Sequence, residues 1–295
     1  MGFKRPCLIC SKFSKQVNIS AAIISPWIRE MTKMSNRISM YKLCKNCKIG
    51  YFSRRYTQEE MTRIYKEYRS DKYFSIRKKW EKWYNYDFFR NESSVDFAPE
   101  RKLMIQDFVE SKLVNQIKIV VDVGGDKGQY IPEFSSDTQR YVIDLSNRNL
   151  VAGVRKINSL EEIETCDLIM SCHVLEHVPY PINELKFLSK NCGALYVEVP
   201  YGRPKINVIR KLGLFLPLQL FLTFFPSIYS KFTNPSTGRV NQKHYWLNQS
   251  EHLNFFEEDS FIFLSKEINK NVHYKVAEIP TPDGNKAKVL QVLFY

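Results

Sequence analysis

The stretch VVDVGGDKGQY, Val120 to Tyr130, decides how the rest of the chain is read. An apolar run reaches Asp122, and Gly124, Gly125 and Gly128 follow within five positions. Apolar residues without alternation suit a strand buried on both faces. Glycines at its end let the backbone turn sharply and come close to a ligand. The spacing differs from the G-x-G-x-x-G of dinucleotide loops, and Asp126 sets an acid in the middle, where a pyrophosphate would be repelled.

Outward from this stretch the pattern repeats. The runs RYVIDLS, CDLIMSC, ALYVEVP, HYKVAEI and KVLQVLFY read as strands, with helix-like segments such as PYPINELKFLSKN between most of them. That alternation predicts an α/β, Rossmann-like, doubly wound and mostly parallel sheet over 116–295. The linker PTPDGNKA suits a hairpin, so one edge strand is expected to be antiparallel. In such sheets a ligand sits at the carboxyl ends of the strands. Asp144 closes the next strand, YVID, 20 residues after Gly124, where an acid accepts hydrogen bonds from both hydroxyls of a ribose. Loop and acid together describe an adenosine-like ligand. Ser171, Cys172 and His173 then follow the strand of CDLIMSC over the same crevice.

At these landmarks the sequence resembles the class I S-adenosylmethionine-dependent methyltransferases, whose first strand ends D-x-G-x-G-x-G. Asp122, Gly124, Asp126 and Gly128 align with that pattern, with Gly125 between them and Asp126 in place of the central glycine. VLEHV, Val174 to Val178, matches a recurrent feature of one large branch. The resemblance covers about 116–295. It implies S-adenosyl-L-methionine as cofactor, held by Asp122, Gly124, Gly125, Asp126, Gly128, Asp144, Ser171 and His173. Asp tolerates left-handed backbone better than most residues. The Asp126 carboxylate is also suited to face the cofactor's ammonium or sulfonium.

The N-terminal third is different. Residues 1–90 hold 21 Lys+Arg against 7 Asp+Glu, and the remainder holds 23 against 24. The net charge of +13 therefore belongs to this third, which points to an anionic partner or to a solvated basic surface. Residues 1–56 contain two C-x-x-C pairs, Cys7 with Cys10 and Cys44 with Cys47, separated by 33 residues. Each gap lets two thiolates reach one tetrahedral ion at a Zn–S distance of about 2.3 Å. Four such ligands close the shell, so a zinc-ribbon-like module with a structural Zn2+ is expected; unrelated thiol pairs or a redox pair are the other readings. The start MGFKRPCLICSK has no apolar core of a secretory leader, so a cytoplasmic setting is expected. Residues 57–115 read as a helical bridge, opened by the capping-box signature Thr57–Glu60 and carrying Tyr73, Ile76, Trp80 and Trp83 on one stripe. Such a stripe either packs a core or stacks nucleic-acid bases.

Two C-x-x-C pairs ahead of a helical bridge and a catalytic domain are similar to the sugar C-methyltransferases. In those a further Glu-His element precedes the last strands, and QSEHLNFF supplies Glu251 and His252. Lys48 stands where a glycine often follows the second knuckle, and Gln249 where some members carry Tyr. The resemblance implies a nucleotide-linked sugar or other glycan precursor as substrate. Glu251 and His252 are then the candidate acid–base pair, since His titrates near neutrality and a carboxylate can orient it. The bland reading has Glu251 capping a helix and His252 packed beside Phe255 and Phe256. His177 is a third catalytic candidate, with a hydrogen-bonding place under the cofactor loop as its other reading.

Within an insert at 203–243, the chain runs apolar from Leu212 to Tyr229. Pro217 and Pro226 interrupt it, so it is not expected to span a membrane. It reads as a lid, or as a segment lying in a membrane interface beside a lipid-linked substrate. A zinc-containing nucleic-acid-binding protein or nucleic-acid methyltransferase is the competing class. VPYG, Val199 to Gly202, occupies the strand end where an amino-methylating enzyme carries N-P-P-Y, and no long Lys/Arg tract is present, so nucleic acid is not the expected partner.

Overall fold

The computed structural model describes residues 6–13, 16–92, 98–113, 116–146, 148–204, 216–232, 248–281 and 285–295. The chain opens with β1 (Gln16–Ile24), α1 (Pro26–Thr32), β2 (Ile38–Cys44) and β3 (Gly50–Phe52). Four helices follow: α2 (Gln58–Tyr65), α3 (Asp71–Trp80), α4 (Tyr86–Glu92) and α5 (Ala98–Glu110). Then come β4 (Ile119–Val123), β5 (Gln139–Ile143), β6 (Val154–Lys156), β7 (Leu168–Cys172), α6 (Pro181–Lys190) and β8 (Ala194–Pro200). The last part holds α7 (Leu216–Leu222), α8 (Pro226–Phe232), β9 (Asn248–Gln249), β10 (Asn254–Phe255), α9 (Glu258–Ile268), β11 (Val272–Pro280) and β12 (Lys286–Phe294).

These elements form two compact units, and each is made from two stretches of chain. One comprises Met1–Ser93 with Gly202–Glu257, the other Ser94–Tyr201 with Glu258–Tyr295. This differs from the expected partition at 56, 115 and 116. The helical bridge is divided between the units, and the 203–243 insert belongs with the N-terminal unit. By unit, the charge separates further than by sequence third: 28 Lys+Arg against 10 Asp+Glu in the first, 16 against 21 in the second.

The first unit is built on a five-stranded sheet of order β10-β3-β2-β1-β9. Neighbours are antiparallel except β1 and β9, which run parallel. α1 starts with Pro26 in its first turn, where a missing N–H costs nothing, and ends at Lys33 in left-handed conformation. α2 begins at a complete capping box: Thr57 Oγ1 accepts from the Glu60 N–H at 3.2 Å, and Glu60 Oε2 accepts from the Thr57 N–H at 2.9 Å. The aromatic stripe of α3 is core. Tyr73 and Trp80 are buried with Trp27 and Tyr84, and Tyr73 meets Trp27 edge-on at 5.5 Å. Rings enclosed in this way are not open to stack on bases.

The second unit is a seven-stranded sheet of order β11-β12-β8-β7-β4-β5-β6. β4 through β8 pair in parallel, and β12 runs antiparallel to both β8 and β11. The hairpin expected at PTPDGNKA is present, but its antiparallel member β12 lies one place inside the edge. β4 is the topological switch: β5 and β6 are laid on one side, β7 and β8 on the other. Its Val120 and Val121 are fully buried, as are Met170 of β7 and Tyr196 of β8. Each such side chain contributes about 1.5–3 kcal/mol by leaving water. Among the described residues, the connections from β4 through β7 contain turns and one 3-10 turn, Leu160–Glu162, rather than helices. The helices α6 and α9 follow β7 and β8. The α/β, Rossmann-like and mostly parallel architecture stands, with fewer helices than the alternation of the sequence suggested.

Candidate cofactor site

The strand ends at the switch bring the loop of residues 124–128 beside Asp144. Gly124 has φ +79, and a Cβ there would lie 2.5 Å from Val174 Cγ2, so a side chain would strike the VLEHV turn. A Cβ on Gly125 would lie 2.6 Å from the Asp122 carboxyl. Asp126 adopts φ 52, the left-handed conformation expected where the related pattern has glycine. Gly128 closes the turn by donating its N–H to Gly125 O at 2.8 Å.

Asp144 is tied to this loop. Its Oδ2 accepts from the Asp126 N–H at 2.9 Å, and its Oδ1 accepts from the Ser146 N–H at 2.7 Å. A carboxylate offers about four acceptor positions, so two further donors can be served after these bonds have fixed its orientation. Asp126 Oδ1 lies 3.6 Å from Arg148 Nε. Within the chain, Arg148 is the cation paired with Asp126.

Two polar atoms at the strand ends lack a hydrogen-bond partner among the described residues: Asp122 Oδ1 and Ser171 Oγ. Both residues are buried. Burial, with the Asp144 charge added, pushes the Asp122 carboxyl up to about 7 against the pull of Arg101. Buried polar atoms left in this way are unusual, and they favour a polar ligand at the strand ends.

Beside them is a charge cluster that the sequence reading did not anticipate. Arg101 of α5 forms an ion pair with Glu198 of β8, both buried, and its guanidinium lies 4.1 Å from the Tyr130 ring centre. The Tyr196 hydroxyl donates to Glu198 Oε2 at 3.1 Å and receives a bond from Gln291 Nε2 at 2.9 Å. Burial alone would raise Glu198, but Arg101 and His173 reverse this and hold it at about 2. His173, at φ 56, sets Nδ1 3.2 Å from Glu176 Oε1 and Nε2 3.1 Å from Glu198 Oε1. Burial would lower His173, but the two carboxylates outweigh it and raise it to about 9. It is an imidazolium at neutral pH and cannot act as a general base there. Glu176 Oε1 also lies 3.8 Å from Nε2 of His177, which is half-buried.

His173 gives the stability a pH signature. Its folded value is above the unfolded one, so its contribution is complete below about pH 6.5 and is lost as pH rises through about 9. Because 33% of the side chain is open to solvent, the loss is on the order of 1–2 kcal/mol, less than the full shift implies. Urea unfolding at pH 6 and pH 9.5 should show this fall in the wild type and not in His173→Gln. Equal slopes for the two proteins would exclude the assignment.

The remaining sequence candidates lie in the first unit. The sulfurs of Cys7, Cys10, Cys44 and Cys47 all lie within 4.8 Å of one another, with Cys10 and Cys44 at 3.9 Å. Tetrahedral Zn–S bonds of about 2.3 Å place sulfurs about 3.8 Å apart, so the four thiols fit a zinc ion. The two knuckles are alike. Ser11 and Lys48, each following a second cysteine, adopt φ 55 and 59, and their N–H groups bond to the carbonyls of Cys7 and Cys44. Lys48 thus takes the conformation for which a glycine is often used. The Ile9 N–H and Asn46 Nδ2 point at the sulfurs of Cys7 and Cys10, a setting that favours thiolates.

Glu251 lies in a buried cluster. Its carboxylate accepts from the Tyr73 hydroxyl at 3.1 Å and is 3.5 Å from Arg77 Nη1. Arg77, 4% exposed, also pairs with Glu81 at 2.9 Å and lies over the rings of Trp27, Trp83 and Tyr84. A carboxylate held in this way joins α3 to the Ser250–Leu253 segment. His252 beside it is half-buried. The described part of the apolar insert is α7 and α8, and the rest of 203–243 lies outside the described residues apart from Arg203, Pro204 and the turn at 223–225. No described helix is long and apolar enough to cross a membrane.

A family described as Methyltransferase domain matches residues 74–274, more than half of the chain. No curated protein matches it. Solved structures similar to it include magnesium protoporphyrin IX methyltransferase of Synechocystis PCC 6803 with bound SAH. That likeness has 13% identity, covers 77% of this chain and 97% of the other, and has a TM-score of 0.40. A SAM-dependent methyltransferase of Aquifex aeolicus is similar at 12% identity over 72% of this chain and 100% of the other, with a TM-score of 0.40. The Haloferax volcanii complex of the Trm112 methyltransferase activator with a putative methyltransferase is similar at 9% identity over 70% and 92%, with a TM-score of 0.42.

Proposed function

The chain belongs to the methyltransferase-domain family and is an S-adenosylmethionine-dependent methyltransferase, and on that premise we propose that its methyl acceptor is an anionic glycan precursor, above all a nucleotide-linked sugar. The observation that carries the substrate class is the charge separation by unit: a surplus of cations in the first unit, and a slight surplus of acids in the unit with the cofactor residues. A diphosphate is the anion such a substrate presents. A nucleic-acid acceptor is the weaker reading, because Tyr73 and Trp80 of the aromatic stripe are enclosed in the core of the first unit.

The cofactor, when bound, supplies an electrophilic methyl group on a cationic sulfur. In our reading Asp144 accepts the ribose hydroxyls with its two remaining lone pairs, oriented by the Asp126 and Ser146 amides. The loop 124–128 gives close backbone approach, and Asp122 Oδ1 and Ser171 Oγ gain polar partners. The proton-handling candidates are His177 and His252, with Glu251 fixed by Tyr73 and Arg77. Loss of turnover in His252→Asn with unchanged cofactor affinity would support that role. Zn2+ is the ion we assign to Cys7, Cys10, Cys44 and Cys47; four thiolates close its shell, so it is structural. Reduced thiols of this kind suit a cytoplasmic setting.

Asp144→Ala should weaken S-adenosylmethionine binding about tenfold or more, on the order of 1.4 kcal/mol, in calorimetric titration. Unchanged affinity would remove the ribose assignment. Incubation with labelled methyl donor, a panel of nucleotide-linked keto-sugars and glycolipid extracts, read by mass spectrometry, tests the acceptor class. Label found only in added nucleic acid would overturn it.

A further inference from the structure

The first unit carries an apolar ridge beside a basic hollow. α7 and α8, with the turn between them, bury Leu222, Thr223, Tyr229 and Ser230. Their other side leaves Leu218, Phe221, Phe224, Phe225 and Ile228 exposed, at 48, 58, 62, 43 and 45%. These five recur at near-helical spacing, and the Phe221 and Phe225 rings lie 5.1 Å apart. Single exposed hydrophobics are ordinary; a contiguous row of large ones marks an interaction surface.

The hollow shares residues with the ridge. It is a cavity of about 340 Å³ whose lining includes Arg29, Lys33, Arg37, Trp80, Thr223 and Phe224. Arg37 lies 4.5 Å from the Phe224 ring centre and donates to Thr223 Oγ1 at 3.2 Å. Glu30 also lines the cavity, but its carboxylate is engaged by Lys79 Nζ at 2.9 Å and the Trp80 indole N–H at 2.8 Å. That leaves three cations around one opening. Arg29 Nε is buried and has no hydrogen-bond partner among the described residues. Burial, and after it the neighbouring charge of Arg37, press Arg29 below the usual guanidinium range. A bound anion would relieve both.

We propose that this face of the first unit docks on an anionic phospholipid bilayer, with the ridge in the interface and a lipid phosphate in the hollow. An apolar row flanked by cations is the pattern of a segment lying in the headgroup region. A second copy of the chain fits less well. A two-fold interface sets the same patch against itself, and here it would bring Arg29, Lys33 and Arg37 toward their own counterparts. The proposal does not depend on the nature of the methyl acceptor.

The test is co-sedimentation of the full chain with sucrose-loaded vesicles of phosphatidylcholine alone or mixed with phosphatidylglycerol. The wild type is expected to bind the mixed vesicles on the order of 100-fold more tightly, with three cations engaged. Combined Arg29→Gln, Lys33→Gln and Arg37→Gln should abolish that preference. Phe221→Ser with Phe224→Ser should weaken binding to the mixed vesicles at least tenfold, with cofactor affinity unchanged. If the triple variant fails to fold, Lys33→Gln at its exposed position should still lower the preference several-fold. Absence of wild-type binding to anionic vesicles would overturn the proposal. So would equal binding by the wild type and the double Phe variant, or a wild-type dimer that the double Phe variant loses without any vesicle binding.

Discussion

Cys44→Ser is expected to yield a protein without bound zinc, whose first unit is unfolded at ordinary temperature. Cys44 ends β2 and is fully buried, with its sulfur 3.9 Å from that of Cys10. The N-terminal knuckle has little else to hold it. Of the described residues before β1, Cys7 and Ile9 are buried, while Phe13 is 71% exposed. Free energies of structural zinc binding are on the order of 10 kcal/mol or more in small modules, comparable to the whole stability of a domain. Metal analysis of the wild type should find one zinc per chain, and Cys44→Ser should lose it together with solubility. Cys192→Ser, in the second unit, should keep the metal. A wild type that purifies without zinc would end the assignment.

Replacing Arg101 with methionine is the second large effect. It should cost about 3–5 kcal/mol, because Glu198 would remain as a buried charge without its main partner. Arg101 is the strongest influence holding Glu198 at about 2; without it, burial drives that carboxyl upward. In the wild type Glu198 contributes stability that is complete above about pH 4.5 and lost as pH falls toward 2. Arg101→Met should weaken that acid sensitivity as well as the stability at pH 7. Adding Glu198→Leu should recover much of the loss, since an apolar pair of similar size can replace a buried ion pair. A change below about 1 kcal/mol in urea unfolding of the single variant would show that the pair is not needed.

What could be read from the sequence was what depends on near neighbours. The capping box of Thr57 and Glu60, the buried run ending at Asp122, the left-handed Asp126 and the two cysteine knuckles are each written within a few residues, and each appears as expected. Arg101 and Glu198 were missed because their pairing spans 97 residues. The one local sign was a carboxylate in the middle of the buried run ALYVEVP. The cluster of Arg77 with Glu251 was missed for the same reason. Its aromatic members were seen as a stripe, but the charge that they enclose comes into view only with the fold. The strands β9 and β10 have two residues each, too few to show any period. Their place in the first sheet could not be inferred from pattern, nor could the make-up of each unit from two stretches of chain.

That division bears on how the molecule is made. During synthesis β1, β2 and β3 leave the ribosome early, but β10, which pairs with β3, follows about 200 residues later. At about 5–20 residues per second the outer edge of β3 stays bare for tens of seconds. The second unit waits too, for β12 comes last of all and fills the place between β8 and β11. The first unit therefore cannot complete its sheet until residue 255 has been made, and a proteolytic fragment ending at residue 115 would carry that sheet without β9 and β10.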